Sequence, residues 1–162
     1  MNAANAETTR LAPRYAVAGL EAGVLGCFPM VGWMMLASLW NHRSIWAIPN
    51  LLATTFYGMD AYRDQWLRST WSGLAMIVAI YGLAGAIWGL IWGERRPPLL
   101  WLYGAAAGIL VFYAFFHLIW KHANPLIPLY SPDHQIEFAH LLWGMALARS
   151  PLYSRRMAEL SV

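Results

Sequence analysis

Four of the five histidines of this chain fall within one short stretch. His117 and His122 precede a proline-bearing connection, Asn124 to Pro128, and His134 and His140 follow it with Glu137 between them. The pattern His-Leu-x-Trp occurs on both sides, at 117 to 120 and at 140 to 143. Helical spacing puts Tyr113, His117 and Lys121 on one face and Glu137, His140, Gly144 and Ala148 on another. A helix-turn-helix over this stretch would gather His117, His122, His134, Glu137 and His140 at one end of two antiparallel helices. Neutral imidazoles with a carboxylate suit zinc, iron or copper. In that reading His117 and His140 are the inner ligands, Glu137 supports them, His134 or His122 completes the set, and Tyr113 stands behind as a hydrogen-bonding partner.

Other chemistries fit less well. Glu137-x-x-His140 is half of the paired Glu-x-x-His pattern of di-iron bundles, and the second half and the extra glutamates are missing. A haem held by His117 and His140 is chemically allowed, but nothing else marks a haem pocket. The plainer reading ranks ahead of any metal: buried histidines beside Tyr, Trp and Glu satisfy hydrogen bonds between membrane helices. Glu21 is the one acid inside an apolar run, where a charge is costly unless paired or neutralised. It suits a proton path, although an ion pair with Arg14 seven residues back on the same face ranks ahead. No nucleotide-binding glycine loop, nucleophile-base set or CxxC is present, so an enzyme is not argued on motifs.

The elements that must position these residues are membrane helices. Of 162 residues 59% are hydrophobic, 12% are charged and ten are tryptophan, far from soluble averages. The chain reads as a single all-α integral membrane domain over 1–162, a polytopic bundle of four spans at about 15–40, 71–92, 99–120 and 132–150. Pro29 should bend the first of these. Ser131 as N-cap, Pro132 at the first helical position and Asp133 on the helix dipole start the fourth, and Pro151 ends it. The segment 44–58 is too short to span and contains Pro49, which suits an interfacial or re-entrant helix. The short turn at 94–98 makes the second and third spans antiparallel neighbours.

Gly19, Gly23, Gly82, Gly85, Gly89, Gly104, Gly108 and Gly144 form small-residue seams along these helices, which let backbones approach closely. Such seams exceed what one four-helix bundle needs, and they point to association with other membrane subunits or with further copies of the chain. The tryptophans read as interfacial anchors. Cys27 has no partner and packs as a small hydrophobe. The net charge of +3 is spread over loop ends, which excludes nucleic acid as a partner. Arg10, Arg14, Arg95, Arg96, Arg149, Arg155 and Arg156 share one side against Arg43, Arg63, Arg68 and Lys121, which puts both termini in the cytoplasm.

Ala18-Gly19-Leu20-Glu21-Ala22-Gly23, the proline-containing outer connection, and Ala139-His140-Leu141-Leu142-Trp143 followed by Arg155-Arg156 resemble the YagU-like family of small bacterial inner-membrane proteins. The resemblance covers the first helix and the last third, with Ala139 in place of the family's glycine, and implies a bacterial inner-membrane location and four helices without an activity. The expected function is a non-catalytic accessory or self-associating membrane subunit. The alternative is a small membrane redox protein holding a transition metal or haem on the outer-face histidines.

Overall fold

The structure, a computed structural model, describes the backbone of residues 3–160 and the side chains of 11–160, so the expected topological role of Arg10 lies outside the described side chains. The regular structure is helical: α1 (Ala3–Trp40), α2 (Ala47–Tyr57), α3 (Thr70–Trp92), α4 (Leu100–Ala123), α5 (Leu126–Tyr130), α6 (Asp133–Ala146) and α7 (Ser150–Glu159). α1 runs through Pro29 without interruption. Within α4 the segment Ala114–Trp120 widens into a π-helix.

Three helices among the described residues are long and apolar enough to cross a membrane, at Leu11–Trp40, Thr70–Trp92 and Leu100–Ala123. These match the first three expected spans and support a membrane protein. The expected fourth span does not form as one long apolar helix. α6 has 14 residues, with Asp133, His134, Gln135 and Glu137 crowding its first turns, and a 3₁₀ turn at Leu147–Arg149 separates it from α7. Pro151 does not end the helix but sits in the first turn of α7, where a missing N–H leaves no bond unmade. Pro132 takes the N-cap position of α6, and the Ser131 hydroxyl makes no capping bond.

The glycine seams decide how the helices pack. A Cβ on Gly85 would lie 2.7 Å from Gly23 Cα, and one on Gly89 would lie 2.9 Å from Gly19 Cα. α1 and α3 therefore touch backbone to backbone, antiparallel, in a contact that any side chain would wedge open. The same arrangement joins α4 to α6, where a Cβ on Gly144 would lie 2.9 Å from Gly108 N and would also strike the Gly104 carbonyl. Gly82 faces the Val24 side chain. The seams expected to exceed the needs of one bundle are thus filled within the chain.

α6 also lies antiparallel along α1. Gly26 meets Trp143 and Ala146, Trp33 packs on Phe138 at 4.6 Å, and the Asn41 amide donates to Gln135 Oε1 at 2.8 Å. The packed order is α3, α1, α6, α4. α3 and α4, consecutive in sequence, are antiparallel neighbours as their short turn requires, but their backbones stay apart. Long rings bridge the gap instead, Trp92 to Tyr103 at 5.3 Å and Tyr81 to Phe115 at 6.5 Å. The turn itself starts at Gly93, whose φ of +55° favours glycine.

The tryptophans divide rather than all anchoring an interface. Trp143 and Trp88 are buried, and their indole N–H groups donate to the Gly23 and Leu147 carbonyls at 3.0 and 3.1 Å. Trp33 donates to the Gln135 carbonyl at 2.9 Å. Buried indoles need such acceptors, so these three tie helices together. Trp40, Trp71 and Trp101 are exposed, as an interfacial role requires.

Candidate functional site

α2 closes the end of the bundle opposite the termini. Its backbone reaches α3 where Gly73 leaves room beneath the Pro49 carbonyl, since a Cβ there would lie 2.8 Å from Pro49 C. Asn50 is fully buried, and every polar side-chain atom it has is used. Its amide donates to the carbonyls of Arg63 at 2.7 Å and Gln65 at 2.9 Å, and its Oδ1 accepts from the Thr70 hydroxyl at 2.6 Å. Thr70 in turn accepts from Leu67 N at 2.9 Å, so one side chain fixes the shape of the whole loop from 63 to 70.

Asn124 does the same for the connection after α4. It is buried, donates to the hydroxyls of Thr54 at 2.8 Å and Thr55 at 3.0 Å, and accepts from Leu126 N at 3.2 Å. Arg43 completes the cap by donating to the Tyr130 carbonyl at 2.8 Å and to the Tyr62 hydroxyl, with its guanidinium 5.6 Å over the Tyr62 ring. Burial raises the Tyr62 pKa above the ordinary range, partly offset by Arg43, so the phenol stays protonated around neutral pH. The cap presents exposed Phe56, Tyr57, Met59 and Trp66 beside Asp60, Arg63 and Asp64.

Below the cap lies the one expected histidine that enters the core. His140 is 1% exposed. Its Nδ1 sits 2.7 Å from the Ile136 carbonyl, which only accepts, so Nδ1 carries the proton. Nε2 of the neutral ring then accepts from the Tyr81 hydroxyl at 2.5 Å. Phe112 at 5.4 Å and Phe116 at 6.3 Å wall the ring, and Trp143 lies 5.1 Å from Tyr81. α4 comes this close because Gly108 faces the His140 carbonyl.

The other expected ligands do not join it. Tyr113, His117 and Lys121 share a face as their spacing requires, but that face is exposed, because Phe112, Phe116 and Trp120 take the inward positions. His117 stacks on Tyr113 at 5.3 Å and 25°. His122 is exposed against the Leu118 carbonyl at 2.7 Å. His134 is exposed and reaches only Glu137, at 4.0 Å. His117, His122, His134, Glu137 and His140 therefore form no cluster, and among the described residues no group of three or more His, Cys, Asp or Glu is placed to hold a metal ion.

Glu21 is half-buried and forms no ion pair with a described residue. Arg14, its expected partner, instead joins Glu94 at the end of α3. Sequence reasoning missed Tyr81, Asn50 and Asn124. A tyrosine in an otherwise apolar span and asparagines in apolar segments each demand a buried partner, and that demand was the available signal.

Comparison of the chain with protein-family models, with curated proteins and with solved structures found no match. The resemblance to the YagU-like family stands on the quoted residues alone.

Proposed function

We propose that this chain is a non-catalytic accessory subunit of a membrane assembly, and that it meets its partner through the cap rather than through its helix faces. The observation that carries this is Asn50. A buried side chain with every polar atom bonded holds an exposed loop in one shape, and loops held on a rigid scaffold are where recognition concentrates. Tyr57, Met59, Trp66 and Arg63 on that surface are of the types enriched where proteins meet. The glycine seams give no support to self-association, since each is occupied by a helix of the same chain.

In this reading α6 and α7 together make a fourth crossing, and both termini are cytoplasmic. Supporting it, the helical stretch from Asp133 to Glu159 is about 40 Å long at about 1.5 Å per residue and runs beside α1. Arg14, Arg95, Arg96, Arg149, Arg155 and Arg156 outnumber Arg43, Arg63, Arg68 and Lys121 across the bundle, and the positive-inside rule then gives the orientation. The bacterial inner membrane is the location that the YagU-like resemblance implies.

The test is the mass of the particle extracted in mild detergent without overexpression. A discrete complex larger than the 18.3 kDa chain, containing a second protein at fixed ratio, is expected; a lone chain in detergent that preserves other complexes of the same membrane contradicts the reading.

A further inference from the structure

The Tyr81–His140 pair lies on a cavity. Its lining includes Met34, Ile77, Phe116, Ile136 and Ser131, and about 30 Å³ of it is open to the centre of a water-sized sphere. By the usual requirement that is room for about two water-sized groups. Most lining residues are buried, but Leu52, Met76, Ile80 and Phe115 are only half-buried. Those four belong to α2, α3 and α4. By their partial exposure, the cavity comes nearest the surface under α2, at the seam between α3 and α4.

The polar groups at this cavity are few and specific. At one end is the Tyr81 hydroxyl with His140 Nε2. Ser131, a buried residue, also lines the cavity.

We infer that the cavity receives the hydroxyl end of a slender, lipid-soluble alcohol, whose hydrocarbon tail runs out through the α3–α4 seam into the bilayer. A hydroxyl inserted at the pair accepts from Tyr81 and donates to His140 Nε2, so no donor or acceptor is lost. A carbonyl would take the Tyr81 proton and leave Nε2 bare, while a carboxylate would bring a charge with no cation facing it. The small void admits a chain end and excludes a ring.

The experiment uses the full chain in lipid vesicles with two photoreactive probes, hexadecanol bearing a diazirine near its hydroxyl and the matching hexadecane. The alcohol should give adducts on residues 76–81 and 115–120, displaced by unlabelled hexadecanol but not by hexadecane. Tyr81→Phe should cut these adducts about three- to tenfold, as loss of one hydrogen bond implies. Ile80→Trp, which plugs the seam without touching the pair, should abolish them. Equal labelling by hexadecane, or adducts that persist in both variants, overturns the inference. So does correctly folded protein with no adducts at these segments, which means that the cavity holds water alone.

Discussion

The Tyr81 hydroxyl lies 2.5 Å from Nε2 of His140 and joins the middle of α3 to α6 across the bundle. Because His140 also bonds Ile136 of its own helix, one neutral ring connects two elements that share only sparse other contacts. His140→Ala should therefore cost about 2–4 kcal/mol, from a cavity and an orphaned Tyr81 hydroxyl. His117→Ala, on the exposed face, should stay within about 0.5 kcal/mol. Thermal unfolding in detergent separates the two; equal losses would place His117 in the core as well.

The glycines offer a sharper contrast. Gly85→Ala sets a Cβ against the Gly23 backbone, which has no flexible atom to move aside, and should destabilise by about 1–3 kcal/mol. Gly32 is helical with nothing within 4 Å of its Cβ position. Gly32→Ala should be neutral or stabilising by up to about 1 kcal/mol through helix propensity alone. Both are read from the midpoint of a denaturant or heating curve, and a loss in Gly32→Ala would reveal a neighbour there.

Asn50→Ala removes three hydrogen bonds and should cost about 2–4 kcal/mol. Its distinctive mark is local. Amide hydrogen exchange should accelerate across residues 58–70 while the α1–α3 seam keeps its protection. Uniform acceleration along the chain would mean that Asn50 supports the bundle rather than the loop.

Topology gives a fourth prediction. In a Cys27→Ser background, Asn41→Cys and Leu129→Cys should react with a membrane-impermeant thiol reagent from outside, and Arg96→Cys only after the membrane is opened. Labelling of position 96 from outside reverses the orientation.

The long helices were legible because length and hydropathy alone define them: 71–92 was expected, and Thr70–Trp92 forms. α2 was legible too, since Pro49 and its short apolar run leave few alternatives. The packing partners were not. Spacing places Tyr113, His117 and Lys121 on one face correctly, yet it does not say that this face points outward, because a membrane helix is apolar nearly all round and lacks the polarity contrast that orients a soluble one. For the same reason the glycines announce close contacts without naming them, and Gly19 against Gly89 pairs residues seventy positions apart. The fourth span failed as a single helix where acidic and amide side chains crowd the start of α6 and a tighter turn interrupts it at Leu147–Arg149.

The central claim, that the cap is a preformed recognition surface, is tested most directly by photo-crosslinking in the native membrane from single positions. A photoreactive residue at Tyr57 or Trp66 should join the chain to one discrete protein, and the adduct should disappear when Asn50→Ala loosens the loop. The same residue at Leu83, on the lipid-facing side of α3, should give lipid adducts only. A protein adduct at Leu83 with none at Tyr57 or Trp66, or cap adducts indifferent to Asn50→Ala, would contradict the account.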